Sequence, residues 1–460
     1  MCKDRANSVR SMLPVIDAWL GSAHSYQSIP GLSVGIVQGQ SLIWEKGYGA
    51  LSQDSGRSVD ADTIYSICSQ SKLFTAIGIM QLRDRGQLSL QDTVVDHLPW
   101  FNIKQPFRES GPITIESLLT HSSGLPRESD FPYWSRPDFR FPTRDQLIEK
   151  INAQTTLYPV RRVAQYSNLG LSLAGEIIRE VDGRSFENYI IEEILHPMKL
   201  SDTRPNYPVE LRGDRLAIGY SGKRRDGTRK ELDPFFSRSI TSAAGFTSSV
   251  RDLARFIIWQ FEKYNDGLNN DILKSNTLRD MHSVHWMDED WNAAWGIGFE
   301  INRVEDMLLV GHSGGCPGYT SRLSMNPKNQ IGVIVLTNVG DAPVENISTN
   351  IQKTLHNALK INAYDTEDNQ VDLSKYEGNY ESWPWGKEFA IRQVGGELVA
   401  LELPTDNVTE SLIKLRWQGD NRFVRVTVRG ELREPWEFLL SDCGKVSELL
   451  VHSNYHKRIS

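Results

Sequence analysis

The chain has 460 residues, of which 39% are hydrophobic and 24% charged, and a formal net charge of −7. At roughly 150 residues per domain that length fits two or three compact units, with enough apolar side chains for a sizeable core, and the composition excludes a disordered chain. The negative balance, with no basic run longer than Lys223-Arg224-Arg225, argues against nucleic-acid and membrane partners.

No segment reaches the roughly 18 uninterrupted apolar residues of a membrane span. Residues 11–20 are broken by Pro14 and Asp17, read as amphipathic, and lack the apolar core of a secretory signal. A cytoplasmic location is therefore expected. Cys2, Cys68, Cys316 and Cys443 are scattered without paired spacing, so neither a disulfide framework nor a zinc knuckle is predicted and reduced thiols are expected.

In chain order, residues 13–20 predict a helix, and the apolar run 31–37 and the segment 41–45, separated by Gln38-Gly39-Gln40, predict an antiparallel hairpin. Leu73, Ala76, Ile77, Met80 and Leu82 recur at helical spacing before Gly86, which predicts a long helix with Ser69 and Lys72 in its first turn. Residues 88–240 have helical periodicity broken by several prolines and read as an inserted helical subdomain, with a clear helix over 171–181. Strands are expected at 307–310, 321–325 and 331–337, and an amphipathic helix at 345–359. Together these make one α/β unit over 1–362. Residues 363–371 read as an acidic linker. Beyond it, six alternating segments (389–394, 397–403, 412–417, 422–428, 436–440 and 448–452) with no evident helix predict a small antiparallel barrel over 372–460. Trp383, Trp385, Trp417 and Trp436 are expected to fill its core.

Three short motifs carry possible chemistry. Ser69-Gln70-Ser71-Lys72 places a hydroxyl and an amine on one helix face, and a serine needs a base beside it to act as a nucleophile at neutral pH. Tyr166-Ser167-Asn168 puts a phenol and an amide two residues apart, facing the same way in extended chain. His312-Ser313-Gly314-Gly315 follows a predicted strand, and its glycines allow close backbone approach to a ligand. Each is weak alone, since a capping serine, a buried tyrosine and a glycine-rich turn are all ordinary. His121 is expected to hydrogen-bond within the fold. His282 and His285, near Asp288, Glu289 and Asp290, lack a metal-ligand spacing and read as a solvated acidic loop, so no metal or cofactor is expected.

Taken in order, Ser69-x-x-Lys72, Tyr166-x-Asn168 and His312-x-Gly314 resemble the three signature elements of the serine β-lactamase and penicillin-binding-protein superfamily. Segments 65–82, 113–126 and 244–256 are similar to the family's as well. The likeness is closest to its class C β-lactamase, DD-carboxypeptidase, D-aminopeptidase and family VIII esterase branch, and the C-terminal 90 residues resemble the lipocalin-like barrel some members append. The resemblance implies an antiparallel sheet flanked by helices, with an inserted helical subdomain over about 88–240. It implies that Ser69 attacks a carbonyl, that Lys72 and Tyr166 move the proton to the leaving group, and that Asn168 orients Lys72 and the substrate. The backbone N–H groups of Ser69 and Gly315 would form the oxyanion hole. His312 stands where many β-lactamases have lysine, which turns the expectation toward a hydrolase of esters, amides or D-peptides on a small molecule or peptide. An acyltransferase, a weak β-lactamase, and a binding protein on a decayed hydrolase fold are the alternatives.

Overall fold

The computed structural model describes the chain apart from residues 1, 55, 132–133, 135–138, 265–271, 292–293, 361–370 and 428. Most of the expected linker lies outside the described residues. Two compact units emerge: Ile29–Ser348, and a second formed by Met1–Ser28 with Thr349–Ser460.

The larger unit is built on an eight-stranded antiparallel sheet. Its strands are β1 (Gly31–Gln38), β2 (Ser41–Gly49), β5 (Trp286–Met287), β6 (Ala294–Trp295), β7 (Glu300–Val304), β8 (Met307–Cys316), β9 (Tyr319–Asn326) and β10 (Ile331–Thr337), in the order β2-β1-β10-β9-β8-β7-β6-β5. The remaining strands, β3 (Tyr65–Cys68) and β4 (Phe246–Ser248), pair separately. Pairing of β1 with β10, from Leu32 opposite Thr337 to Gln38 opposite Ile331, closes the two ends of the unit on each other. Both strands are buried almost throughout, as their continuous apolar sequences require of strands covered on both faces. The Val250–Tyr264 helix covers one face at close range. A Cβ on Gly35 would lie 2.5 Å from Val250 Cγ1, and one on Gly332 2.6 Å from Ile257 Cγ2, so the glycines are what let the helix down onto the sheet. Helices Ser71–Asp84 and Asn168–Asp182 pack together in the helical part, where Leu73, Phe74, Ile77, Leu171, Leu173 and Ile178 share one core.

Two local expectations change. The long helix begins at Ser71, with Ser69 and Gln70 in the turn before it. His312 to Gly315 lie inside β8 rather than in a turn after it, because β9 pairs with β8 to its end, with Gly315 opposite Thr320 and Cys316 opposite Tyr319.

In the smaller unit, β11 (Gly378–Ser382), β12 (Lys387–Val394), β13 (Glu397–Leu403), β14 (Leu412–Gly419), β15 (Arg422–Val426), β16 (Leu432–Leu440), β17 (Val446–Val451) and β18 (Asn454–Arg458) form a closed barrel in sequential order. Closure by pairing of β11 with β18, two strands the hydrophobic pattern did not resolve, leaves no free edge. The lumen is filled by side chains: the Phe438 ring lies 4.8 Å from Tyr376, 5.3 Å from Phe423 and 5.7 Å from Tyr380. Trp436 belongs to this core and Trp417 packs partly against it. Trp383 and Trp385, by contrast, are 82% and 74% exposed, since they sit in the β11–β12 turn rather than on a strand. A short helix, Val408–Ser411, also interrupts the otherwise all-β stretch.

Among the described residues no helix is long and apolar enough to cross a membrane. Truncating Phe438 to alanine should lower stability by about 3–5 kcal/mol in urea unfolding, whereas Trp383→Ala should change it by less than about 0.5 kcal/mol. Equal effects would contradict the burial of one and the exposure of the other.

Candidate active site

The site forms where β3 ends. All four of its residues are buried, and the chain turns sharply there because Cys68 adopts a left-handed backbone (φ 52°). Ser71 Oγ holds the turn, donating to the Cys68 carbonyl at 2.5 Å and accepting from Phe246 N–H at 2.9 Å. On the sheet side, Ser321 Oγ donates to the Ile67 carbonyl (3.1 Å) and accepts from Gln70 Nε2 (2.8 Å). Gly314 permits this approach: a Cβ there would lie 2.3 Å from Ile67 O. Cys68 and Cys316, expected as free thiols, are instead joined in a disulfide with Cα atoms 5.8 Å apart. Residues 248 positions apart are brought together by the fold alone, which no spacing rule reveals.

Ser69 Oγ lies 3.1 Å from Lys72 Nζ and accepts from the Tyr166 phenol at 2.9 Å. Lys72 is fully buried, and its Nζ also reaches Asn168 Oδ1 (2.8 Å) and the Ala243 carbonyl (2.7 Å). Burial holds the Lys72 amine well below its ordinary pKa. The same burial pushes the Tyr166 phenol well up, so it stays protonated. Tyr166 is positioned by its backbone neighbour, since Ser167 N–H donates to His121 Nδ1 (3.1 Å) while Ser167 Oγ caps the following helix through Gly170 N–H (2.9 Å). Its ring packs on His121 (4.4 Å) and Trp295 (5.9 Å). Asn168 opens the helix and donates through Nδ2 to Glu128 Oε1 (2.6 Å), which also accepts from Trp134 Nε1 (2.8 Å).

His312 is buried on β8, with its ring 6.3 Å from that of Tyr166. Its Nδ1 lies 2.5 Å from the Ser313 carbonyl, an acceptor only, so Nδ1 carries the hydrogen and Nε2 the lone pair. Burial draws its pKa down to about 4, and the imidazole is neutral at neutral pH. Behind it, Glu300 accepts from Ser313 Oγ (2.9 Å) and pairs with buried Arg322. Burial opposes ionisation of Glu300, yet His312, Arg322 and Ser313 hold its carboxyl below the ordinary value. Gly315 is exposed, and a Cβ there would meet open space.

The structure thus brings Ser69, Lys72, Tyr166 and Asn168 into direct contact and sets His312, Gly314 and Gly315 on the strand beside them. Sequence reading missed Arg127, Glu128, Ala243, Trp295 and Glu300. Only Arg127-Glu128 left a signal, as a charged pair directly after Gly124-Leu125-Pro126. Among the described residues no cluster of metal-ligating side chains occurs; His285 is instead bound to Glu116 and Asp280, and His282 to Gln260.

A sheet flanked by helices, with a serine, a lysine and a tyrosine meeting at one turn, is the arrangement of the β-lactamase-like serine hydrolases. The family model described as Beta-lactamase matches residues 16–358, and the chain belongs to that family. Among curated proteins, Protein flp of Staphylococcus aureus is 28% identical over 333 residues, covering 70% of this chain and 63% of its own length. Beta-lactamase-like protein 2 of Dictyostelium discoideum is 24% identical over 306 residues, covering 65% and 54%. The chain therefore spans less than two thirds of these relatives. Among solved structures, an octameric penicillin-binding protein homologue from Pyrococcus abyssi has a TM-score of 0.66 at 26% identity, covering 96% of this chain and 99% of its own. The D-amino acid amidase of Ochrobactrum anthropi SV3, solved with D-phenylalanine, has a TM-score of 0.61 at 21% identity, covering 78% and 98%, a likeness of fold.

Gly314→Ala should force β3 and β8 apart and cost about 1–3 kcal/mol, while Gly315→Ala, facing open space, should unfold close to wild type. Thermal melts of the two variants decide this; indistinguishable melting temperatures would contradict the close approach at Ile67.

Proposed function

We propose that the protein is a serine hydrolase that cleaves an ester or amide bond of a small molecule or peptide through an acyl-enzyme on Ser69. The observation that carries this reading is the placement of one hydroxyl, Ser69 Oγ, between the amine of Lys72 at 3.1 Å and the phenol of Tyr166 at 2.9 Å.

A count of hydrogen-bonding capacity assigns the roles. A neutral amine has two N–H donors and one lone pair. Two of the three Lys72 contacts, Asn168 Oδ1 and Ala243 O, are pure acceptors and take both donors. The lone pair then faces Ser69, whose O–H donates to it while Oγ accepts from Tyr166. Lys72 is accordingly the base. As Ser69 Oγ bonds to the acyl carbon, its proton passes to Lys72 Nζ. When the bond to the leaving group breaks, Tyr166 gives that group a proton, and the Lys72 ammonium, whose Nζ faces the Tyr166 ring, returns one to the phenolate. Water then attacks the acyl-enzyme by the same route in reverse. Asn168, held by Glu128, fixes the direction of the Lys72 amine. Backbone N–H groups of Ser69 and Gly315 are assigned to the oxyanion, a contribution of roughly 3 kcal/mol per donor.

Substrate choice follows from what His312 lacks. A neutral, buried imidazole whose Nε2 is an acceptor gives no cation at the third motif, which supports ester, amide or peptide acyl groups over the β-lactams that a lysine there would hold by their carboxylate. A buried bridge between Cys68 and Cys316 is the ordinary chemistry of an oxidising compartment and weighs against the expected cytoplasmic location.

Ser69→Ala should abolish turnover of a p-nitrophenyl ester and remove the mass increment that a fluorophosphonate adds to the wild-type protein; retained turnover or labelling would sink the assignment. The pH profile tests the base. Activity requires neutral Lys72, so kcat/KM should rise with pH through an acid limb set by Lys72, and the Glu128 carboxylate raises the pKa of that amine. In Glu128→Gln, whose amide oxygen still accepts from Asn168, the limb should therefore move to lower pH. A limb that stays put would rule out Lys72 as the titrating base.

A further inference from the structure

The mechanism leaves one charged group at the site without a task. The guanidinium of Arg127 lies 4.9 Å from the centroid of the Tyr166 ring, and Lys72 Nζ lies 4.9 Å from the same centroid. Two nitrogenous side chains thus share one phenol, and that phenol donates to Ser69 Oγ. A protonated Lys72 would be a second cation on a ring that already carries one.

The groups around Lys72 can be sorted by charge and by element. His121, on the segment before Gly124, and His312, on β8, are buried and neutral, because burial draws both imidazoles down. Tyr166, ahead of the Asn168–Asp182 helix, is a protonated phenol. Four charges remain, in two pairs. Glu300 on β7 is matched by Arg322 on β9. Arg127 and Glu128 are consecutive in the loop after Gly124, with Arg127 Nε 3.4 Å from Glu128 Oε1. They act on Lys72 in opposite senses: the Glu128 carboxylate favours its ammonium form and the Arg127 guanidinium opposes it. Their exposure differs as well. The Arg127 side chain is 61% exposed and that of Glu128 19%, so Glu128 is committed to Asn168 and Trp134 while Arg127 lies over the ring without filling the core.

We propose that Arg127 is a positioning residue for the reaction: its guanidinium, stacked on the Tyr166 ring that Lys72 also faces, disfavours the Lys72 ammonium before acylation and drives that proton onward to the leaving group after it. The proposal rests on the reading of Lys72 as the base. No new bond is involved. Lys72 Nζ takes the Ser69 proton, becomes a cation that shares the Tyr166 ring with Arg127, and gives that proton to the Tyr166 oxygen as the leaving group departs with the Tyr166 proton. Arg127 acts on both halves of this transfer through its charge, and Glu128, one residue on, opposes it. The arrangement sets the amine between two neighbouring charges of opposite sign.

The test is the pH profile of kcat/KM for a p-nitrophenyl ester in wild type, Arg127→Gln, Arg127→Lys and Glu128→Gln. Removal of the Arg127 charge should move the acid limb to higher pH, opposite to the shift in Glu128→Gln, so that on the limb Arg127→Gln loses about three- to tenfold more activity than at the plateau. Arg127→Lys, which keeps the charge, should restore the wild-type midpoint. Because 61% of the Arg127 side chain is exposed, added salt should shrink the difference between wild type and Arg127→Gln. A merely structural role would lower the plateau and leave the midpoint in place, and that result overturns the proposal. If Glu128→Gln moves the limb and Arg127→Gln does not, the proposal fails while Lys72 stands as the base. If neither moves it, the reading of Lys72 fails first and takes this proposal with it.

Discussion

Everything at this site depends on burying one amine. Taking an ammonium out of water costs several kcal/mol, and a protein that does so without a carboxylate in contact shifts the group toward its neutral form instead. Lys72 is fully buried and its contacts are a hydroxyl, an amide oxygen and a backbone carbonyl, with the Glu128 carboxylate one residue further away, behind Asn168. The fold thereby shifts this amine toward its neutral form, where a solvated lysine would stay protonated. The elements that desolvate it are the Ser71–Asp84 helix that carries it, the Asn168–Asp182 helix that presents Asn168, and the Thr241–Ala244 turn that presents the Ala243 carbonyl. Loss of any of them readmits water and with it the ammonium form.

A second constraint follows from the first. A lysine so enclosed can meet Ser69 only if Ser69 is pressed against the sheet, and the sheet must then approach the β3 turn with backbone rather than side chains. Gly314 meets that need on β8, and Ser321 meets it on β9 by bonding both Ile67 and Gln70. The Cys68–Cys316 bridge joins the residue before Ser69 to the residue after Gly315. It therefore spans the two backbone positions assigned to the oxyanion and limits how far either can drift from the other. Stability and the geometry of the reaction share these contacts, which is why the turn tolerates a left-handed backbone at a non-glycine residue.

The larger outline was legible in the sequence because periodicity reports burial: the apolar runs at 31–37 and 331–337, the helical stripe from Leu73, and the alternation after residue 389 each appear in the structure as read. Order and spacing of the three motifs carried the rest. The failures have physical causes too. Strands β11 and β18 pair only at two positions and present too short a pattern to detect. Trp383 and Trp385 were read inward because tryptophan is apolar, yet a turn exposes whatever it contains. The disulfide and the Ala243 carbonyl were invisible for one reason: each joins residues at least 171 positions apart in sequence, and only the fold supplies that proximity. His312 was read from the sequence as a replacement for the lysine of many β-lactamases. Its burial goes further and leaves an uncharged ring with a lone pair at Nε2.

That last difference bears on how the site as a whole meets a substrate. With His312 neutral and Lys72 shifted toward its neutral form, the remaining charges fall into two pairs, Glu300 with Arg322, which also meets Glu345, and Glu128 with Arg127. The first is sunk behind β8, where Arg322 is 1% exposed, and in low dielectric such a pair is fixed: separating it would leave an uncompensated buried charge. It can hold Ser313 and the strand, and it cannot follow a substrate. The second lies at the loop after Gly124 with its cation turned to solvent, where screening weakens each interaction and side-chain motion is allowed. On the proposed mechanism, selectivity by charge is therefore withdrawn from the third motif, and adjustment to a substrate's charge falls to the Arg127 side of the site, next to the Tyr166 phenol.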